Sequence, residues 1–271
     1  MNACVQDIID IVNTIAPFEL AEKWDNSGLQ AGHRDWPVKR ILVALDVTMA
    51  AMEAAKKSKN NLLLTHHPLV ISPEKCLDFG TMPGSAVALA ARNNIAILSA
   101  HTNLDKAKDG LNDYFAQVLG ICCERPFLVD TPGADADAAT GIGRLGTLDK
   151  SVSVGELAAL IKERLDIPAL RVAGDLELRI DTVALCTGSG GSLTSHFLNS
   201  SAQVYITGDL KYHDARDIET SGRAAIDVGH FASEHIVIDL LADRLGRKLS
   251  SLGHDIEIQG FNKEKDPFNI I

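Results

Sequence analysis

No stretch of this sequence stays apolar for the roughly 18 residues that a membrane-spanning helix requires, so a membrane-embedded class is not expected. Positive charge is also scarce. Twenty-six Lys and Arg stand against 36 Asp and Glu, for a formal charge of −10. Lys56, Lys57 and Lys59 form the only dense basic cluster. It falls at the end of an apparent helix, where cations favour the dipole anyway. Non-specific binding to nucleic acid, which depends on neutralising many phosphates, is therefore excluded as an expectation. A local basic pocket for a phosphorylated small molecule is not. Cysteine is sparse and irregular: Cys4, Cys76, Cys122, Cys123 and Cys186 are odd in number and show neither CxxC nor a Cys/His spacing. The pattern implies reduced thiols rather than a disulfide framework or a thiolate metal site. Met1 to Pro17 carries no basic leader and no cleavable apolar stretch. Its apolar residues Val5, Ile8, Ile9, Val12 and Ile15 instead fall at helical spacing. The expected location is the cytoplasm.

What is present is the make-up of an ordinary globular protein, 46% hydrophobic and 23% charged over 271 residues, enough for one large domain or two of common size. Short apolar runs read as buried strands and end in polar residues. Arg40–Leu45 ends at Asp46, Leu62–Thr65 at His66-His67-Pro68, and Ile95–Ala100 at His101. Val183–Cys186 runs into Thr187-Gly188-Ser189-Gly190-Gly191, Val204–Thr207 into Gly208-Asp209, and Ala224–Val228 into Gly229-His230. Amphipathic stretches lie between them, at Thr48–Lys57, Ser85–Asn93, Gly110–Leu119, Gly155–Leu165 and Ser233–Leu245. Such alternation predicts α/β layering with mostly parallel sheets, whose ligands bind at the carboxyl ends of the strands. The aperiodic segment Asp130–Thr140 reads as a loop between two lobes. The expected division is 1–128 with 228–271 as the first lobe and 129–227 as the second.

Three of the strand ends carry metal-ligand chemistry. Adjacent side chains in a strand point to opposite faces, so His66 and His67 suit two neighbouring ions better than one. Asp105 follows His101 by four residues and Glu234 follows His230 by four, so on a helix each pair shares a face. Imidazole and carboxylate together suit Zn, Fe, Mn, Co or Ni, and a carboxylate can bridge two ions. Taken singly, a strand-terminal His is a hydrogen-bonded structural residue and an i, i+4 pair a helix-surface feature. The repetition at three strand ends argues for two divalent ions.

Trp24-Asp25-Asn26-Ser27-Gly28, Leu64-Thr65-His66-His67-Pro68-Leu69, Ala100-His101-Thr102-Asn103-Leu104-Asp105, Gly208-Asp209-Leu210-Lys211-Tyr212-His213 and Gly229-His230-Phe231-Ala232-Ser233-Glu234 together resemble the Nif-three-like family. Its members are also known as GTP cyclohydrolase I type 2 homologues or dinuclear metal-centre hexameric proteins. The resemblance implies that His66, His67, Asp105, His230 and Glu234 are metal ligands, with Glu234 bridging and His101 at the edge of the centre. It also implies a toroidal homohexamer with metal sites facing an internal cavity, and the shorter family form without an inserted domain.

Two functions from different classes follow. One is a metal-dependent hydrolase of a nucleotide or related heterocycle, with His101 or His213 as catalytic residues managing protons. The other is a non-enzymatic metal-binding or metal-delivery protein. Gly188-Ser189-Gly190-Gly191-Ser192 is either an anion cradle or a tight strand-to-helix turn. Trp24-Asp25-Asn26 either lines a pocket or caps the first lobe. His33, His196, His235 and His254 have no partner at ligand spacing.

Overall fold

A strand that is apolar at every position needs cover on both faces, and a parallel sheet flanked by helices supplies it. A computed structural model describes residues 3–130 and 140–270; the interior of the expected loop, 131–139, lies outside the described residues. In chain order the elements are α1 (Val5–Ile15), β1 (Gly28–Ala31), β2 (Arg40–Ala44), α2 (Met49–Lys57), β3 (Leu62–Thr65), α3 (Gly84–Asn93), β4 (Ala96–Ser99) and α4 (Thr102–Lys106). There follow α5 (Leu111–Leu119), β5 (Cys122–Val129), β6 (Gly141–Ser153), α6 (Val154–Arg164), β7 (Arg171–Ala173), β8 (Arg179–Ser189) and α7 (Thr194–Leu198). The chain closes with β9 (Val204–Gly208), α8 (Tyr212–Thr220), β10 (Ala224–Asp227), α9 (His230–Glu234), α10 (Val237–Ser251) and β11 (Glu257–Gly260). Among the described residues no helix is long and apolar enough to cross a membrane.

The class is α/β, as expected, and the chain divides into two compact units, Met1–Ala107 with Val237–Glu264 and Lys108–Ile236 with Lys265–Ile271. These bounds differ from the expected 1–128 with 228–271 and 129–227. Helix α5 buries Phe115 and Leu119 among Val154, Leu157 and Ile161 of the second unit, and β5 pairs with β6. Helix α9 packs on β8 and β9, so His230 and Glu234 belong to the second unit.

The first unit's sheet runs β1-β4-β3-β2-β11 and is parallel except at β1. All of β3 and β4 is buried. Leu42, Leu63 and Ile97 meet Met52, Ala86, Ala90 and Phe261 on one face, and α10 packs against β2 and α1. Helix α1 starts at a capping box in which Asp7 accepts from the Cys4 N–H at 2.7 Å. That bond, offset only in part by desolvation, holds the Asp7 carboxyl below its usual range. Helix α2 ends with Lys59 in the left-handed region (φ 54°), its N–H and that of Asn60 closing onto the last turn. The lysine cluster thus sits on a helix C-terminus, as the dipole favours.

The second unit's sheet runs β5-β6-β8-β9-β10-β7. It is more mixed than expected: β8-β9-β10 are parallel, while the β5-β6, β6-β8 and β10-β7 pairings are antiparallel. Period-two alternation splits its core cleanly. Val183, Leu185, Val204, Ile206 and Ile226 face α5 and α6 residues. Ala184, Cys186, Tyr205 and Ala225 face the layer of Phe127, Phe197 and Ile218. All five cysteines are thiols, as expected.

An ion pair on a buried arginine ties α5 to β6. Arg144 is 3% exposed; its Nε and Nη2 donate to Asp113 at 2.6 and 2.8 Å, and Nη1 donates to the Gly141 and Gly143 carbonyls. Removing one partner strands the other charge in a low-dielectric setting. Asp113→Ala is expected to lower the unfolding free energy by about 3–5 kcal/mol, read as a lower urea midpoint at constant slope. A midpoint equal to the parent's would show that water replaces the carboxylate.

Candidate metal centre

In the first unit, register alone assembles the polar cluster. Ala44 pairs with Thr65, and Thr65 with Ser99. Asp46, His67 and His101 each lie two residues beyond those partners, at one level across three parallel strands. His66 and Ala100 lie one residue lower, and the His66 Nδ1 meets the Ala100 carbonyl at 2.8 Å. The His67 N–H donates to the Leu45 carbonyl at 3.0 Å, and its Nδ1 meets Asp46 Oδ1 at 2.8 Å. The three rings of His66, His67 and His101 have centroids 5.1–5.5 Å apart, and one ring nitrogen from each lies within 4.8 Å of the others. His66 is fully buried, with Asp105 Oδ1 3.7 Å from its Nε2. The helical relation expected of His101 and Asp105 holds, His101 being the N-cap residue of α4 and its carbonyl accepting from the Asp105 N–H at 3.2 Å.

Asp25 is the hub behind His101. Its carboxylate meets His101 Nδ1 at 2.8 Å and accepts from Asn26 N, Ser27 Oγ, Thr102 N and Thr102 Oγ1. Burial by itself would raise its pKa; the donors from His101, Thr102 and Ser27 outweigh that and hold it far below the carboxylate range. The Trp24-Asp25-Asn26 segment therefore fixes an imidazole, and Trp24, 60% exposed, sets its ring edge-on to His101 at 6.0 Å.

The second unit repeats the device. Strands β9 and β10 are parallel with Thr207 opposite Asp227, so Asp209 and His230 emerge side by side. His230 Nδ1 meets Asp209 Oδ2 at 2.8 Å, and its Nε2 lies 2.9 Å from Glu234 Oε2 across one turn of α9. Glu234 is 4% exposed. Gly188 (φ +62°) lies so close that a Cβ there would stand 2.1 Å from Glu234 Oε1. Its N–H donates to Ser233 Oγ at 2.9 Å, and that of Gly190 to Thr207 Oγ1 at 3.1 Å. The Gly188–Ser192 loop thus spends these amides on hydroxyls, which matches the tight-turn reading. His213 sits exposed on α8 with its ring against Tyr212.

One rule covers all four strand-end histidines: each Nδ1 is held at 2.8 Å by an oxygen, from Ala100, Asp46, Asp25 or Asp209. An imidazole whose Nδ1–H donates to oxygen carries its lone pair on Nε2, the arrangement of a metal-ligating histidine and its outer partner. Asp46 and Asp209, which the motif reading gave no role of their own, and Asp25, read as lining a pocket or capping the first lobe, are the carboxylates that hold these rings. Their signal was faint but present, since Asp46 and Asp209 are the polar endings of apolar runs.

Two outcomes test this geometry. Gly188→Ala puts a side chain into a left-handed backbone and against Glu234, so it is expected to lower the thermal midpoint by several degrees; an unchanged midpoint would contradict it. Asp25 has a folded-state pKa below its unfolded value of about 3.9, so its stabilisation is full above about pH 4 and fades as pH falls through the depressed value. The gap in stability between the parent and Asp25→Asn should close as pH falls below about 4, as followed by urea melts across pH.

Known proteins resemble this chain in sequence and in fold. A family model described as Duf34/NIF3 (NGG1p interacting factor 3) matches residues 3–267. A GTP cyclohydrolase 1 type 2 homolog of Clostridium perfringens is 37% identical over 267 residues, covering 98% of this chain and 99% of that protein. A Helicobacter pylori protein named GTP cyclohydrolase 1 type 2 is 31% identical over 274 residues, covering 99% of this chain and 100% of its own. Among solved structures, Staphylococcus aureus protein SA1388 superposes with a TM-score of 0.91 at 26% identity, with 100% of both chains covered. Reduced HcgD from Methanocaldococcus jannaschii gives a TM-score of 0.80 at 29% identity, with 97% of this chain and 99% of that one covered. Likeness carried this far along the chain, in sequence and fold together, makes this protein a member of the DUF34/NIF3 family.

Proposed function

We propose that this chain holds two divalent metal ions and uses them to hydrolyse a nucleotide or related heterocycle, as a cytoplasmic homohexamer. The proposed ligands are His66, His67, Asp105, His230 and Glu234. The observation that carries the reading is the oxygen on the Nδ1 of each of the four strand-end histidines, because a carboxylate or carbonyl behind an imidazole both orients it and raises its basicity. The donor set fits such ions: imidazole nitrogen and carboxylate oxygen without thiolate suit Zn, Fe, Mn, Co or Ni and do not choose among them. When bound, a pair of such ions acidifies water and stabilises the oxygens of the group under attack.

The chain's own residues supply the rest. His101, fixed by the ionised Asp25, is set to accept a proton at Nε2 and return it, its imidazolium stabilised by the carboxylate behind it. His213, exposed on α8, is the second proton carrier or a substrate contact. The substrate class follows the names of the Clostridium perfringens and Helicobacter pylori relatives. One observation favours metal delivery instead: the side chains of His67 and His230 are 21% and 37% exposed, within reach of an acceptor.

His67→Ala is expected to cut bound metal by about half, and to reduce turnover of GTP or a related nucleotide by at least tenfold, of the order seen when metal-site partners are lost. Elemental analysis and chromatographic assay of the metal-loaded protein read both. If the parent turns over no nucleotide and the variant behaves identically, the hydrolase reading falls. Transfer of metal to an apo-acceptor faster than its release to chelator would then support delivery.

A further inference from the structure

The carboxyl end of β2 is gripped from the far end of the sequence. Strand β11 pairs in parallel with β2, Gly260 opposite Val43, and the Phe261 N–H donates to the Val43 carbonyl at 2.8 Å. That register delivers Glu264 to the next two backbone donors: its carboxylate accepts from Leu45 N at 2.8 Å and from Asp46 N at 2.9 Å. Leu45 and Asp46 each also hold His67. The Leu45 carbonyl accepts the His67 N–H, and the Asp46 side chain takes its Nδ1. We infer that Glu264 is a positioning residue for His67, acting through the Leu45–Asp46 peptide.

Chemistry distinguishes this from a simple tail anchor. Two backbone N–H groups are satisfied as well by a neutral side chain or by water. Here a half-buried carboxylate is spent on them, with burial and then the like-charged Asp46 raising its pKa against the two backbone bonds that favour its charge. Like charges packed at one loop cost stability unless a cation shares the site. A carboxylate on consecutive amides also fixes the peptide plane, and with it the direction in which Asp46 leaves the chain. An unfixed Asp46 would let the imidazole turn, and with it the Nε2 lone pair. The second unit has a parallel: the Asp227 carboxylate accepts from Leu210 N at 3.0 Å and from Gly229 N at 2.9 Å, the residues beside Asp209 and His230.

The inference rests on the reading of His67 as a metal ligand, and its test separates the two. Cobalt(II) affinity, by competition with a chromophoric chelator, is measured for the parent, Glu264→Ala, Glu264→Gln, Asp46→Ala and the Asp46→Ala/Glu264→Ala double variant. Glu264→Ala is expected to weaken the weaker-held ion about tenfold. The double variant should be no weaker than Asp46→Ala alone, because both act through one contact. Glu264→Gln, which keeps one acceptor, should lose less, and it carries the test if the alanine variant fails to fold. Equal affinity in parent and Glu264 variants, or losses that add in the double variant, would overturn the inference. If the parent binds no cobalt, the metal reading falls instead. Nitrogen NMR of the metal-free protein then decides: slow exchange of the His67 Nδ1 proton, lost in the Glu264 variant, supports positioning, and an unchanged signal refutes it.

Discussion

Parallel pairing places successive strand ends at a common level, and the polar chemistry of this protein depends on that alignment. With Ala44, Thr65 and Ser99 in register, a side chain two residues past one strand meets its counterpart past the next. Asp46 then reaches His67 without any local sequence relation between them, and His66 finds the Ala100 carbonyl in the same way. A slip by one residue would send Asp46 to the opposite face and leave His67 without its orienting carboxylate. Leu42, Leu63 and Ile97 share one buried layer, and the same slip would carry a side chain out of that layer to the other face of the sheet. Core packing and ligand orientation are thus one constraint seen at two ends of the same strands.

That constraint explains how the fold tolerates so much polarity under cover. His66, Asp105 and Glu234 are buried, and burying such groups is costly unless each is hydrogen-bonded or paired. The structure meets the cost by fixing groups in chains: backbone to imidazole, carboxylate to imidazole, hydroxyl to carboxylate. Asp25 shows the limit of this approach, with donors from Ser27, Asn26, Thr102 and His101 on one carboxylate. Gly188 shows its steric side, since only a residue without Cβ lets the backbone close over Glu234.

Much of this was legible in the sequence, and the gaps have physical causes. Leu62–Thr65 reads as a strand and is one, because a run apolar at every position has a single outlet in an α/β fold. The stretches Thr48–Lys57 and Gly110–Leu119 read as helices and are α2 and α5, with Thr48 and Gly110 as their N-cap residues. Strands β1, β7 and β11 gave little pattern, being short edge strands with no fully buried residue. The stretch Ser233–Leu245 reads as one helix but divides into α9 and α10 where the chain passes from one unit to the other. The lobe boundary shifted for a related reason. Helix α5 has an amphipathic pattern that any apolar layer would satisfy, and only the partners of Phe115 reveal which layer it is. The ligand candidates were visible by type and spacing, whereas Asp46 and Asp209 acquire a role only through strand register, a long-range property.

The two units solve the same problem with unlike sheets. The first is parallel but for β1; the second confines its parallel pairings to β8-β9-β10 and surrounds them with antiparallel partners. Yet each sets an aspartate after one strand against a histidine after its parallel neighbour: Asp46 with His67, Asp209 with His230. What they share is the feature that matters for placing an imidazole, two parallel strands ending together with a short polar continuation. The antiparallel additions can vary because they bear on the core and the edges and leave the strand ends alone. A parallel strand pair, rather than a whole sheet topology, is therefore the smallest unit of structure that this chemistry needs.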